Sequence, residues 1–476
     1  MKKIILKISV LALVIVGATS CDDKLEQIPF DAFGNENAYV SAADFENAIR
    51  GAYAGFTSGA MYGGSDAGGM IDAGDVLADN VTIAQDGRGS RTTLHNWRYV
   101  AADGPLSNTY DRTYIIANRA NLILENIVDF EGENKENIIA EAKALRALAH
   151  FNSVIFFAKI PTQSGDANGS LGIAYVTVAD ANALPARETV GVVYDNIVAD
   201  LTDALAGINE TNPAGRLNKQ AVATLLSRVY LYMGKYDLAV NAANMVSTKP
   251  AARNNVVGVW KDANQDGLLF YIPNEVGTLG IGVGVAYSQG SLNNLTPEYV
   301  VDYDFYTKFS DEDIRKEAYT APGQKGGNTY NAIVKWFGRD SSFDGLVDLK
   351  ILRAAEAYLN KAEAYYRLGN ETSARNALDE VRSRRYTTFA GGETGQALLD
   401  AIMLERRLEF AFEGHRFLDL KRWGQGVQRD GYGDLRDGSG VPSDVQTLSA
   451  GNNKLQLPID QSILDVNPNI QQNPGY

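Results

Sequence analysis

The chain has 476 residues, 45% hydrophobic and 21% charged, the balance of a globular protein and not of a disordered one. That length is enough for two or three ordinary domains or one large repeat-built one. The net charge of −14 argues against nucleic acid and anionic membrane surfaces as partners, because phosphate binding needs clustered cations; it favours solubility and neutral ligands.

Lys2, Lys3 and Lys7 precede an apolar run over 8–16, and Gly17, Ala18, Thr19 and Ser20 follow it. A charged start, a short apolar run and small residues form an export signal. The run is too short to span a hydrocarbon core of ~30 Å. Cys21, the only cysteine, comes next. This arrangement resembles the lipobox of bacterial lipoproteins, in which the cysteine is acylated (with palmitate among the chains) and becomes the new N-terminus. Residues 1–20 are therefore read as a lipoprotein signal, and 21–32, opening on Asp22 and Asp23, as a polar tether. The mature chain then has neither free thiol nor disulfide, as suits an exported protein large enough to bury a core. Loss of three signal lysines leaves 41 basic against 58 acidic residues, a charge of −17. No later stretch of 18 apolar residues follows.

Ser41 and Asp44 stand at capping-box spacing and predict a first helix over 42–56. The stretch 59–104 is rich in Gly, Asp and Asn and is read as long loops. A helix is predicted over 108–127, with Tyr114, Ile115, Leu122 and Ile127 on one side. Another is predicted over 135–157, where Ala142, Leu145 and Leu148 recur at helical spacing.

An internal repeat follows. Tyr230, Gly234 and Ala239 share their spacing with Tyr365, Gly369 and Ala374. A late aromatic, a glycine that ends the first helix and a small residue that lets the second approach make a helical hairpin. The pattern resembles the tetratricopeptide repeat, without its tryptophan and final proline. Helices at 190–207 and 137–157 are expected to stack on these hairpins. Between them, 250–345 changes character: Gly and Val alternate in IGVGVAYS, which reads as strand or extended loop. A repeat array interrupted by a loop-rich insert suggests a scaffold that carries a binding surface.

Residues 402–424 crowd Glu405, Glu409, Glu413 and Asp419 with Arg406, Arg407, Arg416 and His415. The apolar Ile402, Leu404, Leu408, Ala411 and Phe412 give this predicted helix a wide buried face, so the charges are read as structural ion pairs. His95, His150 and His415 are far apart and show no zinc spacing. Asp262, Asn264, Asp266 and Gly267 match positions 1, 3, 5 and 6 of a calcium loop, but position 12 is Pro273, so the segment is read as a turn. GGSDAGG at 63–69 lacks the last glycine of a nucleophile elbow, GIGVGV fails the dinucleotide fingerprint, and there is no Walker loop. No catalytic residue and no cofactor are assigned.

Several long segments together resemble one family. They are DFENAIRGAYAGF near the start, EAKALRALAHFNSVIFFAKIP at 141–161, ILRAAEAYLNKAEAYYRLGN at 351–370, IMLERRLEFAFEGHRFLDLKRWG at 402–424 and the closing LPIDQSILDVNPNIQQNPGY. They are similar to the SusD/RagB family, surface lipoproteins of Bacteroidetes nutrient uptake. The resemblance implies one domain over 33–476. It would be mainly α, a tetratricopeptide-like helical repeat scaffold (108–250 and 346–424) with a loop-rich, partly β insert and a ligand face over 59–104 and 251–345. It implies a non-catalytic protein, lipid-anchored in the outer membrane and exposed at the cell surface. Such a protein holds a nutrient, usually an oligosaccharide and sometimes a peptide, over a SusC-like TonB-dependent transporter. A surface glycosidase and a ligand-free repeat adaptor are the rival readings.

Sugar rings stack on aromatic rings while polar side chains bind the hydroxyls. The resemblance implies that Trp336 lies on a strand leading into the repeat helix and that Trp260 precedes the LLFYI strand, so both are read as packing residues, with Trp423 within a core motif. The expected ligand contacts are therefore Trp97 and Tyr287, with Tyr62, which lies among glycines. Asp79 and Asn80 join them, because relatives carry an acidic loop near the ligand at that place.

Overall fold

A computed structural model describes residues 38–57, 59, 61–63, 69–274, 282–339 and 346–476. Cys21, the signal and the tether lie outside the described residues, as do 64–68 of GGSDAGG.

Helix α1 (Ala42–Ala54) opens with the expected capping box: Ser41 Oγ accepts from the Asp44 amide, and Asp44 Oδ2 accepts from the Ser41 amide at 2.7 Å. It lays Phe45, Ile49 and Ala52 against the long helices that follow. The segment after it departs from the loop expectation. It forms α2 (Met70–Val76), β1 (Val81–Ile83) and α3 (Thr92–His95), and every residue of α2 is buried. The glycine and the acids of α2, Asp72, Gly74 and Asp75, face protein and not water, and more than half of the described residues of 59–104 are buried.

Helix α4 (Ser107–Asn126) buries Thr113, Ile116, Ala120 and Ile123, whereas Ile115 is exposed. Its packed face is rotated from the one predicted. Helix α5 (Lys135–Phe157) has the predicted ends and is buried on nearly every side, between α4 and α6 (Val190–Gly207).

The repeat hairpins are α7 (Lys219–Tyr232) with α8 (Tyr236–Asn244), and α13 (Ala354–Arg367) with α14 (Glu371–Arg382); the short helices α9–α12 between them are given below. Both turns close identically. Gly234 (φ 71°) and Gly369 (φ 78°) adopt the left-handed conformation that favours glycine. The Lys235 amide donates to Tyr230 O and the Gly234 amide to Leu231 O; Asn370 donates to Tyr365 O and Gly369 to Tyr366 O. These are paired Schellman bonds. Ala239 and Ala374 are fully buried, and α13 packs on both α7 and α8.

The insert supplies α9 (Val256–Trp260), β2 (Leu268–Ile272), α10 (Val283–Tyr287), β3 (Ser288–Ser291), β4 (Asn294–Pro297), β5 (Tyr299–Val301), α11 (Tyr303–Thr307), α12 (Ile314–Tyr319), β6 (Thr320–Lys325), β7 (Asn328–Ile333) and β8 (Leu349–Arg353). The alternating Gly–Val stretch is thus a helical turn before a strand. β1, β5, β7 and β6 make an antiparallel sheet in that order, with Thr82 opposite Val300. β2 pairs antiparallel with β8, which runs directly into α13. That strand, and not the segment around Trp336, leads into the repeat helix. Trp336 and Trp260 are buried edge to face, 5.0 Å apart.

The predicted helix over 402–424 is two helices, α15 (Gly395–Glu409) and α16 (His415–Arg422). Left-handed residues Phe412 (φ 64°) and Gly414 (φ 81°) break it. The chain ends in the small pair β9 (Val427–Gln428) and β10 (Thr447–Leu448), then α17 (Gln461–Val466).

Candidate functional site

The structure gathers the five sequence-predicted ligand residues inside the protein. The Trp97 indole N–H donates to Leu77 O at 3.0 Å, and the Arg429 guanidinium lies 4.0 Å over its ring, which leaves 5% of the residue exposed. Tyr287 is fully buried, edge-on to Phe412. The Tyr62 hydroxyl accepts from Asn152 at 2.8 Å, and its ring stacks on Phe56. Arg416 grips Asp79 at both oxygens, at 2.7 and 2.8 Å. Burial alone would raise the Asp79 carboxyl, but Arg407 and Arg416 hold it well below the usual carboxylate range. Asn80 donates to Asp75 at 2.9 Å and accepts from Arg407 at 2.8 Å. A ring with no exposed face cannot stack on a sugar, so Trp97 and Tyr287 are corrected from ligand platforms to core residues.

The charged motif is structural, as read. Glu409, fully buried, accepts from Arg353, Arg385 and Arg315. Glu413 takes Arg353 and Lys335, Asp419 takes Arg406 and Arg422, and Glu405 lies 2.7 Å from Arg315. Burial pushes the Lys335 ammonium down to about 7, although Glu413 and the faces of Trp260 and Tyr319 favour its charge. Burial holds the His415 ring far below its ordinary value, stacked on Phe410. Among the described residues no His, Cys, Asp or Glu group is arranged to hold a metal. Asp262 pairs with Lys350 and Arg339, Asp266 caps Ala252, and Asn264 accepts from the Asp266 amide. The calcium-like spacing is therefore a turn braced by cations.

The described surface offers another aromatic platform. Tyr432 is 51% exposed and stands edge-on to the half-buried Tyr303, with ring centres 5.0 Å apart. Tyr303 and Tyr306 are one turn apart on α11, whose start is capped by Asp302 and whose buried anchor is Phe305. The loop bearing Tyr432 is braced from below. Asp434 accepts from the Val441 and Gln85 amides, and the Arg436 amide donates to Thr329 O in β7. Tyr303 rests on Gly438, where an added Cβ would lie 2.6 Å from the ring. Burial, and then the facing Asp430, raise the Asp302 carboxyl beneath this shelf. Past Tyr306 the shelf opens into a cleft of about 300 Å³. A larger groove of about 750 Å³ between α4, residues 174–185 and α17 is lined chiefly by aliphatic side chains such as Ile115, Val178, Leu184 and Val466. Its aromatic lining is the buried Tyr110 and the half-buried Tyr114.

Residues 259–476 match the SusD family, and residues 34–231 match a family described as starch-binding associating with outer membrane. SusD-like protein P2 of Formosa agariphila is 26% identical, across the whole of both chains. Starch-binding protein SusD of Bacteroides thetaiotaomicron is 34% identical over 130 residues, which are 27% of this chain and 22% of that one. A SusD superfamily protein from Bacteroides thetaiotaomicron superposes with a TM-score of 0.80 at 26% identity, over 91% of this chain and all of the other. The chain belongs to the SusD family. No helix among its described residues is long and apolar enough to cross a membrane.

Proposed function

We propose that the protein captures an oligosaccharide at the cell surface and passes it to a SusC-like TonB-dependent transporter, without chemically changing it. The observation that carries this reading is the match of 34–231 to a starch-binding, outer-membrane-associating family. The name of the starch-binding relative points the same way. The Tyr432–Tyr303–Tyr306 shelf supports the reading, since sugar rings stack on accessible aromatic rings. Glu405, Glu409, Glu413 and Asp419 are locked in ion pairs, so the acids of this segment are not free to serve as the two carboxyls of a glycosidase.

Acylation at Cys21 would hold the protein on the outer membrane beside its transporter. Confinement to one surface raises the effective concentration of each partner without a new contact. The test is the purified chain from residue 22, titrated with a panel of oligosaccharides, with product analysis after long incubation. Saturable binding with the sugar recovered intact is expected. Failure to bind any member, or release of new reducing ends in proportion to protein, would overturn the reading.

A further inference from the structure

The whole-chain charge favours neutral ligands, but the cleft beyond Tyr306 departs from it. Three cations line it: Arg253, Lys316 and Arg436. Neither arginine has a carboxylate within 4.0 Å among the described residues. Arg253 donates through Nη2 to Glu312 O at 3.2 Å, and its Nε is buried without a partner. Arg436 donates only to neutral oxygens, Tyr306 Oη at 3.2 Å and Asn331 Oδ1 at 3.4 Å. Many buried arginines in this chain are matched to acids, as at Glu409, while Arg187 and Arg429 are satisfied by backbone carbonyls; Arg253 and Arg436 are instead half-buried, on one cleft, with a buried Nε at Arg253 that has no partner.

The acids nearby do not cancel them. Asp313 is held by Arg315 at 2.8 Å, with both side chains fully buried. Asp311 pairs with Lys316 at 2.6 Å, but its side chain is 95% exposed, and such a surface pair is weak and easily exchanged. Glu317 is exposed on α12. Lys316 and Arg436 both stand over the Tyr306 ring, 5.4 and 5.6 Å from its centre. An aromatic face and a cationic pocket therefore meet at one residue. A guanidinium offers paired N–H donors that match a carboxylate or a sulfate.

We propose that this cleft receives the anionic group of a charged oligosaccharide, a carboxylate or sulfate on the sugar, while Tyr306, Tyr303 and Tyr432 hold adjacent rings. The inference rests on the glycan-binding reading and names its substrate class. The purified chain from residue 22 is titrated with neutral malto- and cello-oligosaccharides, with oligogalacturonates and with sulfated carrageenan oligosaccharides, at low and at 300 mM salt. One charged class, uronate or sulfate, should bind at least tenfold tighter than neutral sugars of equal length, with the advantage shrinking in salt. Arg436→Gln and Arg253→Gln should each reduce that affinity about tenfold, and Lys316→Gln, at a half-buried position, severalfold, with melting temperatures showing that each variant is folded. If neutral sugars bind as tightly as charged ones, or if the Arg253→Gln and Arg436→Gln variants retain full affinity for the charged class, this inference falls while the glycan reading stands. If no sugar of any class binds, both fall.

Discussion

Glu409→Gln tests whether the acids of the 402–424 segment hold the fold. Glu409 Oε1 accepts from Arg353 Nη1 at 2.7 Å and Arg385 Nη2 at 2.9 Å; Oε2 accepts from Arg385 Nε at 2.7 Å and Arg315 Nη1 at 3.2 Å. These three guanidinium groups bridge α15 to β8, to α12 and to the segment after α14. Glutamine keeps the shape but removes the charge and turns an amide N–H toward donors. Breaking a buried ion pair costs about 3–5 kcal/mol, because the remaining charges are left uncompensated. At ~2.1 cal/mol/K per residue, the roughly 420 described residues give an unfolding entropy of about 0.9 kcal/mol/K. The melting temperature, followed by circular dichroism, should fall by about 3–5 °C. A drop of under ~1 °C would show that Arg353, Arg385 and Arg315 are satisfied some other way and would refute the argument.

Three further outcomes are expected. Ala374→Phe must overpack the closely approaching hairpin of α13 and α14, at a cost of ~1–3 kcal/mol; an unchanged urea midpoint would contradict the repeat packing. Asp302 is an acid whose folded value is raised to about 7, so the native state holds a proton that the unfolded chain releases near pH 4. Stability from this group therefore falls as pH rises from about 4 to about 7 and levels off above. Asp302→Asn keeps the acceptor for the Phe305 amide and should remove that slope, so the variant gains on the wild type across this window in melting temperatures taken at pH 5, 6, 7 and 8. Parallel curves would sink the assignment. Cys21→Ser should release the protein from outer-membrane vesicles in a fractionation assay; equal partition of variant and wild type would rule out the lipid anchor.

Local patterns carried the helical scaffold into view. The ends of α5, the capping box of α1 and the Tyr–Gly–Ala spacing of both hairpins depend on residues within a few positions of each other. The ion-pair reading of 402–424 also came from local contrast between charges and an apolar stripe. The candidate site was far less legible. Asp75 accepts from the Gly414 amide, Asp79 is gripped by Arg416, and Trp97 lies under Arg429, all more than 300 positions away in sequence. Nothing local tells such a residue from an exposed loop residue, so a Gly- and Asp-rich composition reads as surface. Tyr432 was within reach. It stands between Gly431 and Gly433 in an acidic segment, the same kind of setting that singled out Tyr62, and belongs to neither a helix nor a strand. Its partner Tyr303, and the pairing of Arg253 with Arg436 across one cleft, are products of tertiary structure alone.

Sugar is proposed to bind on the tyrosine shelf and not at the buried Trp97 and Tyr287. Isothermal titration of the tightest oligosaccharide from the panel against Tyr303→Ala/Tyr432→Ala tests it most directly. Each aromatic contact is worth ~1 kcal/mol, so the double variant should bind about tenfold or more weakly with a melting temperature close to that of the wild type. Undiminished affinity in that folded variant would place the ligand elsewhere and contradict the account.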